Sequence, residues 1–412
     1  MPKRRKAMVC RTDLLAALAL TLLLAGCTAG TDASVPLSPS VPTRAAPAEP
    51  APEATAAPPL TVPAEPTQLP SASATDSAPT PLPAPDALVT LRENGVFLGD
   101  GWGSEAVQVL ALESAAGIAF RSPRLAYIAN QAIFVADPLG APAHPVADAP
   151  PSFLLGPDLV WTADGKALLT IADREDANAQ QTGSSIDIGL VAVPGGGWRP
   201  GLALADRAGA SILRAESASG QVLLVAWGSE PSFQQVLRYD LATGQAAGSL
   251  PIAGQGEIIA SPDGKLALTS LYNEAKGANE DVLYDLTDAA ATVRQRLPLR
   301  ADTHTAGRLW SPNGDRIAYL LREGRTPGEE QTQGLGLYLW DLKQAKATKI
   351  ADVTDPAGGP VAWTPDGRYL VFRQSDAAGA NAFYALDTTD NTLRRLPLDP
   401  ASRILGWLPQ AQ

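Results

Sequence analysis

Leu309-Trp310-Ser311-Pro312-Asn313-Gly314-Asp315-Arg316-Ile317-Ala318-Tyr319-Leu320-Leu321 spells a strand, a tight turn and a second strand. Pro312 presets φ for a turn, and Asn313-Gly314 is a dipeptide that tolerates positive φ. Apolar residues flank it on both sides, as a β-hairpin requires. The box recurs as Trp363-Thr364-Pro365-Asp366-Gly367, as Ala260-Ser261-Pro262-Asp263-Gly264 and as Trp161-Thr162-Ala163-Asp164-Gly165, each followed by an apolar run. Four copies of one hairpin make the chain a repeat protein.

The third position of each turn box falls at Pro123, Ala163, Ala218, Pro262, Pro312, Pro365 and Pro409, with gaps of 40, 55, 44, 50, 53 and 44. A unit of about 40–45 residues plus loop insertions is the length of a four-stranded propeller blade. Most units carry a second signal, an apolar strand ending in Asp: Asp137, Asp240, Asp285, Asp341 and Asp387. Such a carboxylate accepts from backbone amides two residues on and seeds a turn. Trp161, Trp310, Trp363 and Trp407 share the inner-strand position and are expected to pack between blades. Trp340 precedes a turn Asp and is expected in the core. Trp102, Trp198 and Trp227 lie outside the pattern, which leaves them as candidates for stacking on sugar or peptide.

Six complete units start near 116, 156, 209, 256, 306 and 359. Residues 87–113 supply strands without an inner one, and residues 403–409 supply an inner strand without the rest. Joined, they make a seventh blade closed by both ends of the folded region, which removes exposed sheet edges. The expectation is an all-β, seven-bladed β-propeller over 87–412, with six or eight blades as alternatives.

These boxes resemble the WD40-like β-propeller repeat of the TolB type, whose inner hairpin has the pattern W-S-P-D-G-x-x-[IL]-[AV]-[YF]. The match is good at 310, 363 and 262, fair at 161, and poor where Glu216-Ser217-Ala218-Ser219-Gly220 lacks both Pro and Asp. The resemblance covers about residues 87–409. It implies a binding role within envelope complexes and names no partner.

The region before the repeats has a different composition. Lys3, Arg4, Arg5 and Lys6 precede an apolar run from Leu14 to Gly26. That suits a secretory signal and is too short for a spanning helix, which needs about 20 residues. The run ends Leu24-Ala25-Gly26-Cys27, which resembles the bacterial lipobox. The resemblance implies cleavage after residue 26 and lipidation of Cys27, a palmitate-type membrane anchor. Residues 27–86 form a linker; 15 of the 59 positions 28–86 are Pro, with Ala, Ser and Thr between them. Such a stretch cannot bury enough apolar surface to offset chain entropy, so it is expected to stay disordered. Extended, it reaches at most roughly 180 Å at about 3.1 Å per residue.

Composition narrows the chemistry. Both cysteines, Cys10 and Cys27, lie before the repeats, so the folded part has no disulfide. His144 and His304 are the only histidines, too few for the usual zinc, copper or haem sets. No cofactor and no metal is expected. The net charge of -11 disfavours nucleic acid as a partner. No G-x-S-x-G elbow occurs. The expected function is non-catalytic binding of a protein or an envelope polymer, on an exported, lipid-anchored platform. The rival is a glycan hydrolase or lyase working through loop carboxylates, since catalytic acids pair in space and not in sequence.

The first-to-second and third-to-fourth strand turns share one propeller face, and here they are the tight Pro-Asp-Gly and Asp turns. The second-to-third loops open on the other face. They are placed at Asp173 to Ser185, Tyr272 to Asp281, Arg322 to Gly334 and Gln374 to Asn381. They carry Asp173, Glu175, Asp176, Glu274, Glu280, Asp281, Glu329 and Glu330, the candidate partner-binding residues. Such loops over a rigid scaffold are where binding residues concentrate. An equally open reading is that these charges only maintain solubility.

Overall fold

A computed structural model describes residues 86–408, apart from 113, 152, 175–185, 205–208, 216–220, 228–233, 241–242, 244, 251, 253–256, 288–289, 325–332, 356–357 and 376–378. The described residues form seven antiparallel sheets of four strands each. Blade 1 is Arg403–Leu408, Ala87–Arg92, Gly95–Gly99 and Val107–Ala111, in that spatial order. Blades 2, 3 and 4 begin with the strands Gly117–Arg121, Phe153–Trp161 and Gly209–Ala215. Blades 5, 6 and 7 begin with Ile259–Ala260, Thr303–Trp310 and Gly359–Trp363.

The first strands abut one another from blade 6 through blades 7, 1, 2, 3 and 4 to blade 5. Blade 6's first strand leans on blade 5's third strand, Ala278–Asp285, and this completes the ring. The expected terminal closure is present: Ala87 pairs with Leu408, Leu88 with Trp407 and Leu91 with Arg403.

One hydrogen-bond unit builds the hairpins. In blade 7, Gly367 N–H donates to Thr364 O (2.8 Å), closing a turn with Pro365 and Asp366 at its centre. Gly367 alone takes a left-handed φ, +69°. That combination of a tight turn and a left-handed glycine suits hairpins whose loop is longer than two residues. The Thr364 hydroxyl donates to Asp366 Oδ1 (2.6 Å) and accepts from Tyr369 N–H (3.0 Å), while Arg368 N–H donates to the same Asp366 oxygen (3.0 Å). Blades 3 and 5 repeat the unit with Thr162 and Asp164, and with Ser261 and Asp263. Blade 6 has Asn313 in the Asp position, and Asp315 takes over, accepting from the Ser311 hydroxyl at 3.2 Å. Gly165, Gly264 and Gly314 repeat the left-handed φ, and Asn313 does not share it.

The tryptophans fill the seams. Trp161, Trp310, Trp363 and Trp407 are all buried. Trp161 Nε1 donates to Ala119 O of the preceding blade, and Trp363 Nε1 to Leu309 O. Arg124 and Arg316 lie over the Trp161 and Trp363 rings at 5.1 Å and donate to Gly165 O and Gly367 O at 2.7 Å. A cation on a ring face and a charge-assisted hydrogen bond thus act across one seam. Trp340 is fully buried, as expected. Trp102 is not free to stack on a ligand: it is buried edge-on against Tyr369, with ring centroids 5.1 Å apart. Trp198 packs on Gly189 and Phe153.

Because the box hydroxyls are buried and doubly bonded, removing one leaves an amide without its acceptor. Thr364→Val is expected to lower unfolding free energy by about 1–3 kcal/mol, with Thr364→Ser restoring most of it. Denaturant midpoints of the three proteins check this.

Candidate functional site

The two faces of the ring differ. On the face holding the Gly165, Gly264, Gly314 and Gly367 turns, several carboxylates are engaged by the backbone of their own turns, while Asp315 is held by the Ser311 hydroxyl and Lys343. Asp285 accepts from Thr287 N–H, Asp341 from Lys343 and Gln344 N–H, and Asp387 from Thr389 N–H, all at 2.8–2.9 Å. Asp387 is also gripped by Arg368 at 2.7–2.8 Å. Burial pushes its pKa up, but the Arg368 and Thr389 hydrogen bonds outweigh that and hold it at about 2.

The opposite face is shaped by connections between blades and by the second-to-third loops. One concavity on it is a cleft of ≈ 290 Å³ between blades 6 and 7, lined by Asp352, Thr354, Asp355, Gln374 and Ser375. Asp352, Thr354 and Asp355 lie in the segment joining the two blades, and Gln374 and Ser375 end blade 7's second strand, Tyr369–Ser375. The Ser375 hydroxyl donates to Asp355 Oδ2 (2.6 Å), bridging the cleft, and Lys349 Nζ contacts Asp352 Oδ1 (2.6 Å). Asp352 is 86% exposed, so that pair contributes little stability. The walls present hydroxyl, amide and carboxylate groups, a set suited to a polar ligand.

The sequence-derived loop residues fare unevenly. Asp173 is exposed at the end of the strand Ala167–Arg174, and Glu274 is exposed in the turn 274–277. They belong to blades 3 and 5, so they share a face without forming one site. Glu175, Asp176, Glu329, Glu330 and Cys27 lie outside the described residues. The loop placed at Tyr272 to Asp281 is corrected. Tyr272 and Asn273 complete the strand Leu266–Asn273, the turn spans 274–277, and Glu280 and Asp281 are buried in Ala278–Asp285. In blades 1 and 2 the corresponding loops are two-residue turns at 93–94 and 130–131, not long insertions.

Glu280 and Asp281 point to opposite faces of their strand. Glu280 is held by Lys276 (2.6 Å), Arg296 (3.0 Å) and Asn273 (3.2 Å). Burial pushes its pKa up, and the Lys276 and Arg296 hydrogen bonds bring it below the ordinary value. Asp281 turns into the seam between blades 5 and 6. There Oδ1 accepts from Ser270 (2.7 Å) and Thr305 (3.1 Å), and lies 3.7 Å from Arg308 Nη1. Arg308, Ser270, Thr305 and the cleft residues other than Gln374 were not singled out in the sequence. Asp352 and Asp355 fall between blades, outside the loops that the strand pattern marks. Arg308 has no signal beyond standing two residues before Trp310. Among the described residues no group of three or more His, Cys, Asp or Glu could hold a metal ion.

No protein-family model matches the chain, and no curated protein matches it. Solved structures do. An oligogalacturonate lyase in complex with manganese aligns over 74% of this chain and 83% of its own, at 14% identity and TM-score 0.54. A putative dipeptidyl aminopeptidase IV from Bacteroides ovatus aligns over 77% of this chain and 52% of its own, at 12% identity and TM-score 0.51. TolB from Acinetobacter baumannii aligns over 78% of this chain and 82% of its own, at 14% identity and TM-score 0.40. The chain is an all-β propeller. At such identities the likeness extends to the fold and not to the chemistry of any one of these proteins.

The lowered Glu280 has a consequence for acid stability. A carboxyl whose folded pKa lies below its unfolded one adds stability that is present above the unfolded value and lost as pH falls through the folded one. Glu280→Gln is therefore expected to destabilise at neutral pH and to converge on the parent at acid pH. Thermal midpoints measured across pH check it.

Proposed function

We propose that this chain is an exported, lipid-anchored propeller that binds a protein or an envelope polymer through the face carrying the Asp352/Asp355 cleft. The observation that supports it best is the inequality of the two faces. On the turn face several Asp carboxylates are engaged by their own turns. On the other, Asp173 and Glu274 stand exposed, Asp352 is exposed beside Lys349, and the cleft adds hydroxyl and amide groups.

The start of Ala87–Arg92 and the end of Arg403–Leu408 lie side by side, at the position that a first-to-second turn occupies in other blades. Of the four buried carboxylates among the described residues, Glu280, Asp281 and Asp387 each face a cation. That favours structural roles for them over the acid–base work of a glycan hydrolase or lyase.

Two measurements separate the parts of this proposal. Cys27→Ser is expected to move the protein from the membrane to the soluble fraction of the producing cell; retention in the membrane overturns the anchor. Reversing Asp173, Glu274 and Asp352 to Lys is expected to reduce crosslinked partner from intact cells by about tenfold or more, the effect of roughly 1.4 kcal/mol in binding. Unchanged crosslinking overturns the assignment of the face. Turnover of envelope glycan by the purified protein, abolished by changing one acid, overturns the non-catalytic reading.

A further inference from the structure

We infer that the inner end of the seam between blades 5 and 6 is the joint at which the ring opens, held shut by Arg308 acting as a latch, and that it opens more readily as pH rises.

The first ground is missing strand. Blade 5's inner strand is Ile259–Ala260, two residues, whereas the inner strands of the other blades run from five to nine. Glu257 and Ile258, just before it, are described and are not strand. The second ground is missing staples. The seams at Trp161 and Trp363 have an indole-to-carbonyl bond and an Arg-to-Gly bond across them. At this seam Trp310 Nε1 has no acceptor among the described residues, and Leu266 occupies the position that Arg316 holds in blade 6. Trp407 also lacks an acceptor, but its seam gains the Trp102–Tyr369 contact.

The third ground is what replaces them. The inner strand of blade 6 bulges between Ala306 and Leu309. Bulges re-aim side chains, and this one carries Arg308 across to blade 5. Arg308 Nη2 donates to Glu257 O (2.6 Å), and Nη1 donates to Ser270 Oγ (3.1 Å) and faces Asp281. One side chain thereby holds the loop before blade 5's short strand, that blade's second strand and its third. Apolar packing runs from Leu266 and Trp310 near the inner strands to Leu268, Leu283, Tyr319 and Trp340 farther out, so the opening assigned to Arg308 is local to the polar contacts it makes.

The pH direction follows from burial. Asp281 is 1% exposed, and its Oδ2 has no hydrogen-bond partner. A carboxylate in that position is poorly compensated. The groups facing it are Arg308, His304 and Tyr319 of blade 6, with the Ser270 and Thr305 hydroxyls. Burial pushes the Asp281 pKa up, and Arg308 with the two hydroxyls opposes that only in part. A carboxyl whose pKa is higher in the closed ring than in the open one binds its proton more tightly when closed. It therefore favours closure at low pH, and the benefit is lost as pH rises through the closed-state value.

Hydrogen–deuterium exchange on the full chain tests this, with rates corrected for intrinsic amide exchange at about pH 5 and about pH 8. Thr303–Trp310 and Ala278–Asp285 are expected to exchange faster than Gly117–Arg121 and Phe153–Trp161, and more so at the higher pH. Arg308→Met is expected to raise exchange in the first pair at least tenfold with little change in the second. Asp281→Asn, which keeps an acceptor for both hydroxyls, is expected to remove the pH dependence. Equal exchange at all seams overturns the joint. Faster exchange toward acid pH overturns the assigned direction, and a pH dependence that survives in Asp281→Asn overturns its assignment to Asp281. If Arg308→Met does not fold, Arg308→Lys carries the same comparison.

Discussion

Everything in the ring depends on the last described strand, Arg403–Leu408, pairing with the first, Ala87–Arg92. Arg403–Leu408 supplies blade 1 with the inner strand that the N-terminal side of the fold lacks, and Trp407 brings the seam-filling indole with it. Without that pairing Ala87–Arg92 is an open edge of buried apolar residues, and blades 7 and 2 lose the body between them. Local pairing in the other six sheets joins neighbours in sequence. This one joins residues more than 300 positions apart, so its loop-closure cost is the largest in the fold. The cost grows only slowly with length, which is why a single six-residue strand can meet it.

Given closure, each blade repeats a local solution to one problem. The inner hairpin must reverse direction at the rim without leaving buried amides unpaired. A buried Ser or Thr hydroxyl does this by accepting from the residue that starts the next strand and donating to a turn Asp. Pro sets the turn, Asp ties it, and Gly takes the left-handed step. The hydroxyl is the centre of this unit, and it was the least conspicuous member of the box in the sequence. Pro, Asp and Gly announce themselves by conformation, whereas Ser and Thr occur everywhere and declare their role only through partners five residues on.

The same distinction explains what was legible. Turn chemistry recurs along the chain, so the all-β repeat, terminal closure and the inner-strand position of Trp161, Trp310, Trp363 and Trp407 could be inferred. Glu280 and Asp281 misled because charge suggests a loop. Only the structure shows that Lys276 and Arg296 converge on Glu280 and that Arg308 comes within reach of Asp281, from separate strands and turns. The cleft was hidden for a related reason. Asp352 and Thr354 follow blade 6, Gln374 and Ser375 end a strand of blade 7, and nothing in one dimension signals that a seam brings them together. A surface assembled across blades has no sequence period of its own.

Blade 6 ties these observations into one mechanical argument. Its inner strand carries Arg308 at the seam with blade 5, and the segment leaving its outer strand carries Asp352 and Thr354 at the cleft shared with blade 7. The seam with blade 7 is the better fastened of the two, through the Trp363 indole, the Arg316 guanidinium and the Ser375–Asp355 bridge. Motion of blade 6 is therefore accommodated on the blade 5 side, and blades 6 and 7 move with the cleft between them intact. In such a ring the seam latched by Arg308 takes up the movement, and the stapled seam keeps the cleft residues in register.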